Sequence, residues 1–374
     1  MPAEWEPHAA TWLSWPHDPV TFPDRVDKAE DVYRQIIRAL APRERVNLLV
    51  KDEATHERVL DWAADENLNN LVIWDEPPAD VWFRDYGPTF VRRGSGPGEG
   101  TERAAARAGA GVGGTGLSGG DRMPGPGAGP VGRDRDRGDL AMVKWRFNAW
   151  GNKYDTLLAD DEIPYKLQPH LGLPMFEAGI VMEGGSLDVN GAGTLLTTEQ
   201  CLLHKNRNPD LTKADIERRL ADFLGVRHFL WLGDGIEADD TDGHVDDIAR
   251  FVDASTVVAA VEDDPKDANH APLATNLERL KRMTDQDGRP LTVVELPMPG
   301  RVADDEGRLP ASYANFYIAN GVVLLPIFGA KNDARATEIV RKCFPTRRVV
   351  PIRCEDLVFG MGTLHCITQQ QPLA

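Results

Sequence analysis

The sequence predicts an α/β fold, built as a single domain from a repeated structural unit. Helical patterns alternate with short β-rich runs along most of the chain. A unit of extended pieces plus one helix recurs about five times, with uneven spacing and weak self-similarity. A doubly wound parallel sheet is the competing topology, but no glycine fingerprint follows the first strand, which counts against its dinucleotide-binding form. The 374 residues are enough for two ordinary domains or one large repetitive one, and 41% hydrophobic residues can bury a sizeable core.

Taken in order, the helical patterns are predicted near residues 27–40, 53–64, 213–224, 273–283 and 332–343. Thr212 and Asp215 read as the N-cap and third position of one helix, because a short hydroxyl there can accept an otherwise orphaned backbone N–H. Strands are predicted at 46–50, 71–74, 228–232, 292–296 and 348–352, each after a helix. Others precede or separate these units, at 88–91, 144–147, 194–198, 257–261 and 322–325. Residues 93–139 stand apart: rich in Gly, Ala, Pro and Arg and poor in large apolar side chains, they read as a disordered low-complexity surface insertion between two strands. Its Gly109–Gly114 run has no preceding strand or following helix, so it is no phosphate loop, whereas a flexible tether or docking arm fits the composition equally.

The formal net charge of −17 repels nucleic acid and anionic membranes and favours small cations, although acidity also serves solubility alone. No run of about 20 apolar residues suggests a membrane span, and the first residues lack the basic and apolar regions of a signal peptide. A cytoplasmic location is expected. The four cysteines, Cys201, Cys343, Cys354 and Cys366, fit neither a zinc pattern nor a disulfide framework. The first three read as small apolar residues in or near the core.

Cys366 differs, lying eight residues from the last residue in a segment of small and amide side chains that implies an ordered end. Its candidate partners are Asp85, Glu183, His244 and Asp246. The acidic run Asp239–Asp247 fails as a calcium loop, because Ala238 and Ala249 fall where the first and twelfth ligands belong. Zinc would need more His or Cys nearby. What remains is a solvated acidic turn or a charged site around His244. If His244–Val252 is a strand, His244 and Asp246 share one face while Val245 and Asp247 face away. Asp85 precedes a Gly-Pro turn and Glu183 a double glycine; singly each reads as a surface or capping acid, but the shared setting at element ends suggests one pocket. The tryptophans Trp12, Trp15, Trp82, Trp145 and Trp150 read mainly as packing residues with a polar edge near a pocket. Trp82 is singled out because it lies three residues before Asp85. In an extended segment His365 turns away from Cys366, leaving a structural role to His365 and the catalytic imidazole to His244. Chemistry alone leaves Cys366 open between a nucleophile and an inert buried thiol.

Several motifs carry a likeness to a known family. They are Thr11–Pro16, Arg84–Phe90, Phe147–Gly151, Glu183–Ser186, Gly243–Asp246, Ala311–Gly321 and His365–Pro372. Together they resemble the agmatine deiminases, which are related to bacterial-type peptidylarginine deiminases, over nearly the whole chain outside the glycine-rich insertion. The resemblance implies a five-bladed α/β propeller of pseudo-fivefold repeats, of the pentein type. It also implies hydrolysis of a guanidinium to a ureido group with release of ammonia, within putrescine and polyamine metabolism. Cys366 would be the nucleophile and His244 the acid and base. Asp85 and Asp246 would grip the guanidinium nitrogens, Glu183 would assist, and Trp82 would line the substrate. No metal or organic cofactor is required. The chain departs from the family pattern at Gly360–Thr363, which replace Gly-Gly-Gly-Asn, and at Asp242 and Asp247, which replace asparagines. Asp240 stands where a glutamate commonly lies near the amine end of the substrate.

Agmatine is the first substrate expected, a small cationic guanidino compound converted to N-carbamoylputrescine. Peptidyl or free arginine, an amidinotransferase reaction, a metal-dependent hydrolase and a non-catalytic polyamine-binding protein are the other readings. The oligomeric state is left open, a homo-oligomer included.

Overall fold

The computed structural model describes residues 1–93 and 139–374, so the predicted insertion, including Gly109–Gly114, falls almost wholly outside the described residues. Among the described residues the strands form five small sheets, all with one pairing scheme. A central strand has an antiparallel neighbour on one side and a parallel neighbour on the other. The central strands are His8–Ser14, Leu140–Arg146, Thr194–Thr198, Thr256–Val261 and Val322–Ile327. Their antiparallel partners are Gln369–Pro372, Thr89–Arg92, Leu187–Val189, Ala249–Phe251 and Tyr317–Ala319. Their parallel partners are Arg45–Leu49, Met175–Val181, His228–Leu232, Thr292–Pro297 and Arg348–Arg353, and Leu71–Trp74 adds a fourth strand to the first sheet.

Parallel neighbours need a long connection, and each sheet uses a helix for it. These helices are Val26–Leu40, Ile163–Leu171, Lys213–Leu224, His270–Leu280 and Asp333–Cys343. Their apolar spacing explains why they pack. Val26–Leu40 buries Ala29, Val32, Tyr33, Ile36, Ile37 and Leu40, one stripe of a 3.6-residue period. Fully burying side chains of this size stabilises by about 1.5–3 kcal/mol each. Lys213–Leu224 begins with the predicted cap: Thr212 Oγ1 accepts from the Asp215 amide at 3.2 Å, and Asp215 returns the bond to the Thr212 amide at 3.0 Å. It ends at Gly225 in the left-handed conformation.

Five strands escaped the sequence reading: His8–Ser14, Met175–Val181, Leu187–Val189, Tyr317–Ala319 and Gln369–Pro372. Three or four residues are too few to show a period, and Gln369–Pro372 is polar. It pairs with His8–Ser14, which ties the two ends of the chain into one sheet. His244–Val252 is also not one strand. A single helical turn, Val245–Asp247, precedes a short strand at Ala249–Phe251. Asp239 Oδ2 accepts from the amides of Gly243 and His244 at 3.1 Å each, which curls the chain out of extension.

Replacing the cap with Thr212→Ala is expected to cost about 1 kcal/mol. Urea denaturation should show a lower midpoint with an unchanged slope.

Candidate active site

In each unit the loop just before the antiparallel strand carries a polar residue inward. Asp85 precedes Thr89–Arg92, Glu183 precedes Leu187–Val189, and His244 and Asp246 precede Ala249–Phe251. Cys366 precedes Gln369–Pro372, which joins the first unit. These loops therefore bring the residues predicted to do chemistry toward one another, and three of them, His244, Asp246 and Asp85, meet at Gly185. A methyl group at Gly185 would stand 2.6 Å from His244 Nδ1 and 3.0 Å from both Asp246 Oδ2 and Asp85 Oδ1. Only glycine lets backbone come so close.

A cleft of about 590 Å³ opens above this point. Trp82, Asp85, Asp240 and Cys366 line it, whereas Glu183, His244 and Asp246 lie fully buried beneath. Several buried atoms have no hydrogen-bond partner: Glu183 Oε2, Asp246 Oδ1 and both ring nitrogens of His244. Unpaired buried polar atoms are costly and rare, and a cluster of them points to a polar ligand. Two groups here have ligand atoms close enough to share an ion: Glu183 with Cys201 and His244, and Asp246 with Asp247 and Cys366. Both overlap the predicted site.

Asp85 is held from two sides. Its Oδ1 accepts from the Gly185 amide and its Oδ2 from the Trp150 indole, both at 2.9 Å. The backbone that aims Trp150 is strained. Ala149, Trp150, Gly151 and Asn152 all have φ between 49° and 90°, a region L residues seldom adopt. Burial raises the Asp85 carboxyl; His244 pulls it back, while Asp246 and Glu183 push it further up, to about 6. Glu183 behaves oppositely. Burial would raise it, but Arg207, bonded through Nε to Oε1 at 2.7 Å, holds it below the usual carboxylate range. Burial pulls His244 down most strongly, yet the charge of Asp85 together with Cys201 and Glu183 outweighs this and lifts the imidazole well above its ordinary value. Its nitrogens lie 3.8 Å from Asp85 and 3.9 Å from Glu183.

Asp246 is fixed by His365. His365 Nδ1 meets Asp246 Oδ2 at 2.7 Å, and Nε2 meets Glu4 Oε2 at 2.8 Å. Glu4 also pairs with Arg250 at 3.0 Å and Arg84 at 3.4 Å. His365 was expected to turn away in an extended segment; it sits in a turn instead and bonds Asp246 directly. Asp247 contradicts the expectation that it faces away: it is buried beside Asp246 and Cys366, because the helical turn replaces strand alternation. Burial, then the charges of Asp246 and Asp239, raise Asp247 well above the usual range. Asp242 takes another role, accepting from Arg207, Lys153 and Asn206, and these bonds overcome burial to hold it at about 2.

Of the five tryptophans, Trp82 and Trp150 line the cleft, while Trp12 and Trp15 are core residues. Cys201 is buried as expected, but it lies beside Glu183 and His244 and not in plain hydrocarbon. Arg207, Glu4 and Trp150 were not named as site residues in the sequence reading. Trp150 lay in the Phe147–Gly151 motif; nothing local marks Arg207 or Glu4. Asp240 lies at the mouth, where the Tyr154 hydroxyl donates to its carboxylate.

The fold is α/β, and the site couples a thiol and an imidazole to converging carboxylates. Over residues 1–372 the chain matches the family of Porphyromonas-type peptidyl-arginine deiminases, and it belongs to that family. An agmatine deiminase of Stutzerimonas stutzeri is 34% identical, over 100% of this chain and 95% of its own. The structure of the Enterococcus faecalis agmatine deiminase superposes with a TM-score of 0.82 at 30% identity, covering 100% of this chain and 95% of that one. A cysteine-to-serine variant of the C. jejuni agmatine deiminase, solved with substrate bound, gives a TM-score of 0.78 at 26% identity, with 100% and 96% covered.

Gly185→Ala should place a methyl against three functional groups and cost about 1–3 kcal/mol. Thermal unfolding and turnover should both fall; full activity would separate Gly185 from the site.

Proposed function

We propose that this chain is an agmatine deiminase, converting the guanidinium group of agmatine and water to N-carbamoylputrescine and ammonia. The observation that carries this reading is the convergence of Asp85, His244 and Asp246 on Gly185, with Glu183 3.9 Å from His244, under a cleft lined by Cys366. The chain is read as one deiminase domain, a five-bladed α/β propeller whose five units surround the site. Among the described residues no helix is long and apolar enough to cross a membrane.

A guanidinium is planar and cationic, and carboxylates match its paired N–H groups. Asp85 and Asp246 grip its nitrogens, and the unpaired oxygen of Glu183 receives another. Trp82 and Trp150 close the sides. Burial, then the charges of Asp246, Asp247 and Asp85, raise the Cys366 thiol well above its ordinary value. The thiol therefore ionises when the bound cation offsets these acids, and its proton goes to solvent. The sulfur attacks the guanidinium carbon and a C–S bond forms. Protonated His244 donates to the departing nitrogen, the C–N bond breaks, and ammonia leaves an S-alkylthiouronium cation. Neutral His244 then takes a proton from water as the oxygen adds to carbon. The C–S bond breaks with its electron pair on sulfur, and the product hydroxyl proton returns to the thiolate.

The cleft mouth favours an amine-tailed substrate. Asp18, Asp240, Asp304 and Glu306 line it, and Arg308 is already paired with Glu237 and Asp267. A free carboxylate such as that of arginine meets repulsion there.

Cys366→Ala should abolish ammonia release while preserving the fold by circular dichroism; near-normal turnover would refute the mechanism. A panel of agmatine, arginine and an arginine peptide should give ureido product mainly from agmatine, and an added acceptor amine should not divert it. Because free-enzyme Asp85 protonates near pH 6, kcat/KM should fall as pH drops through about 6. The linked stability has the opposite sense. A carboxyl raised from 3.8 to about 6 stabilises fully below the lower value, and this contribution is lost as pH rises through the upper one. Thermal melts of the free enzyme between pH 4 and 7 should show this contribution, and a bound guanidinium should reduce the loss.

A further inference from the structure

Cys201 is a buried thiol that the reaction does not use, and it lies against two groups that the reaction does. Its sulfur, a carboxylate oxygen of Glu183 and a ring nitrogen of His244 all lie within 4.8 Å of one another. Local bonds lock these positions. Thr198 Oγ1 accepts from the Cys201 amide at 3.2 Å and donates at 2.6 Å to the carbonyl of Gly243, the residue before His244. Arg207 occupies Glu183 Oε1 and leaves Oε2 without a hydrogen-bond partner, 3.9 Å from His244 Nε2. Both ring nitrogens of His244 lack a partner as well. Buried polar atoms left this way are rare, and here they face one another beside a thiol.

We propose that Glu183, Cys201 and His244 form an inhibitory binding site for a thiophilic divalent cation, zinc above all. Thiolate, imidazole and carboxylate are the ordinary donors to zinc, and a thiolate discriminates against magnesium and calcium. A tetrahedral ion with zinc's bond lengths sets its ligand atoms about 3.4–3.6 Å apart, so each side chain moves by less than about 1 Å to close on it. Water takes the fourth position. Binding releases the protons of the Cys201 thiol and the His244 ring to solvent. The acidic cleft mouth that draws a cationic substrate draws metal ions equally. An ion at this site takes from the reaction the imidazole that protonates the leaving nitrogen and the acid that assists the guanidinium, so turnover stops. The inhibition rests on the roles proposed for His244 and Glu183; the binding does not. The cluster of Asp246, Asp247 and Cys366 is a poorer site, because His365 already occupies Asp246 Oδ2.

Cobalt(II) serves as a spectroscopic stand-in for zinc, because a thiolate ligand gives it an intense charge-transfer band. Chelator-treated enzyme is titrated with cobalt chloride, and ammonia release from agmatine is followed against zinc chloride. We expect the band in wild type and in Cys366→Ala, and none in Cys201→Ser. Zinc should silence the wild type as the site fills, and a chelator should restore it. Cys201→Ser, compared with its own zinc-free rate, should need about 10²-fold more zinc for half inhibition, because even outer-shell partners of a metal are worth about 10–100-fold. Absence of the band from Cys366→Ala, or wild-type zinc sensitivity in Cys201→Ser, overturns the proposal. Cys366→Ala carries the test alone if Cys201→Ser does not fold, since it leaves the three proposed ligands intact. The cobalt spectrum needs no substrate, so it still reads the site if agmatine proves to be the wrong one.

Discussion

Several carboxylates converge on one point out of water, and the rest of the site depends on how that crowding is offset. Asp85, Glu183, Asp246 and Asp247 are all buried, and like charges in low dielectric repel strongly. Fixed cations behind the site carry part of the balance. Arg207 neutralises Glu183, while Arg84 and Arg250 meet Glu4, which reaches Asp246 through His365. The front opens to the cleft, where in the proposed reaction the planar positive charge of a guanidinium completes the set. Removing one member of such a buried pair strands the other charge, typically at about 3–5 kcal/mol.

The repeated fold serves this need. Among the described residues five sheets share one pairing design, and the loops before their antiparallel strands bring groups from distant parts of the chain against one another. Strain is kept where it aims a side chain, as in the left-handed stretch Ala149–Asn152 that sets Trp150 on Asp85. Glycine appears where two chains must nearly touch, as at Gly185.

Much of this was legible in the residues. Most of the long helices were, because fifteen residues such as Val26–Leu40 suffice to display a 3.6-residue period, whereas the nine-residue Ile163–Leu171, with Pro164 and Pro169 in it, was missed. The short strands were not, since Leu187–Val189 and Tyr317–Ala319 hold too few side chains to alternate visibly. The strand expected at His244–Val252 failed because Asp239 captures two backbone amides, a bond no periodicity reveals. That one difference turned Asp247 from an outward residue into a neighbour of the thiol. The resemblance to deiminases named Cys366, His244, Glu183, Asp85 and Asp246, and the structure gathers them.

By itself the sequence determined the chemical kit: a thiol, an imidazole, carboxylates, and the glycines that let them approach. These are properties of residue types and near neighbours, so they can be read locally. The tertiary structure alone decided the charge state and aim of each group. Glu4 reaches His365 across 361 residues, and Asn315 reaches Cys366 across 51. Proton affinity and hydrogen-bond geometry depend on which groups burial sets side by side, and chain order does not record that.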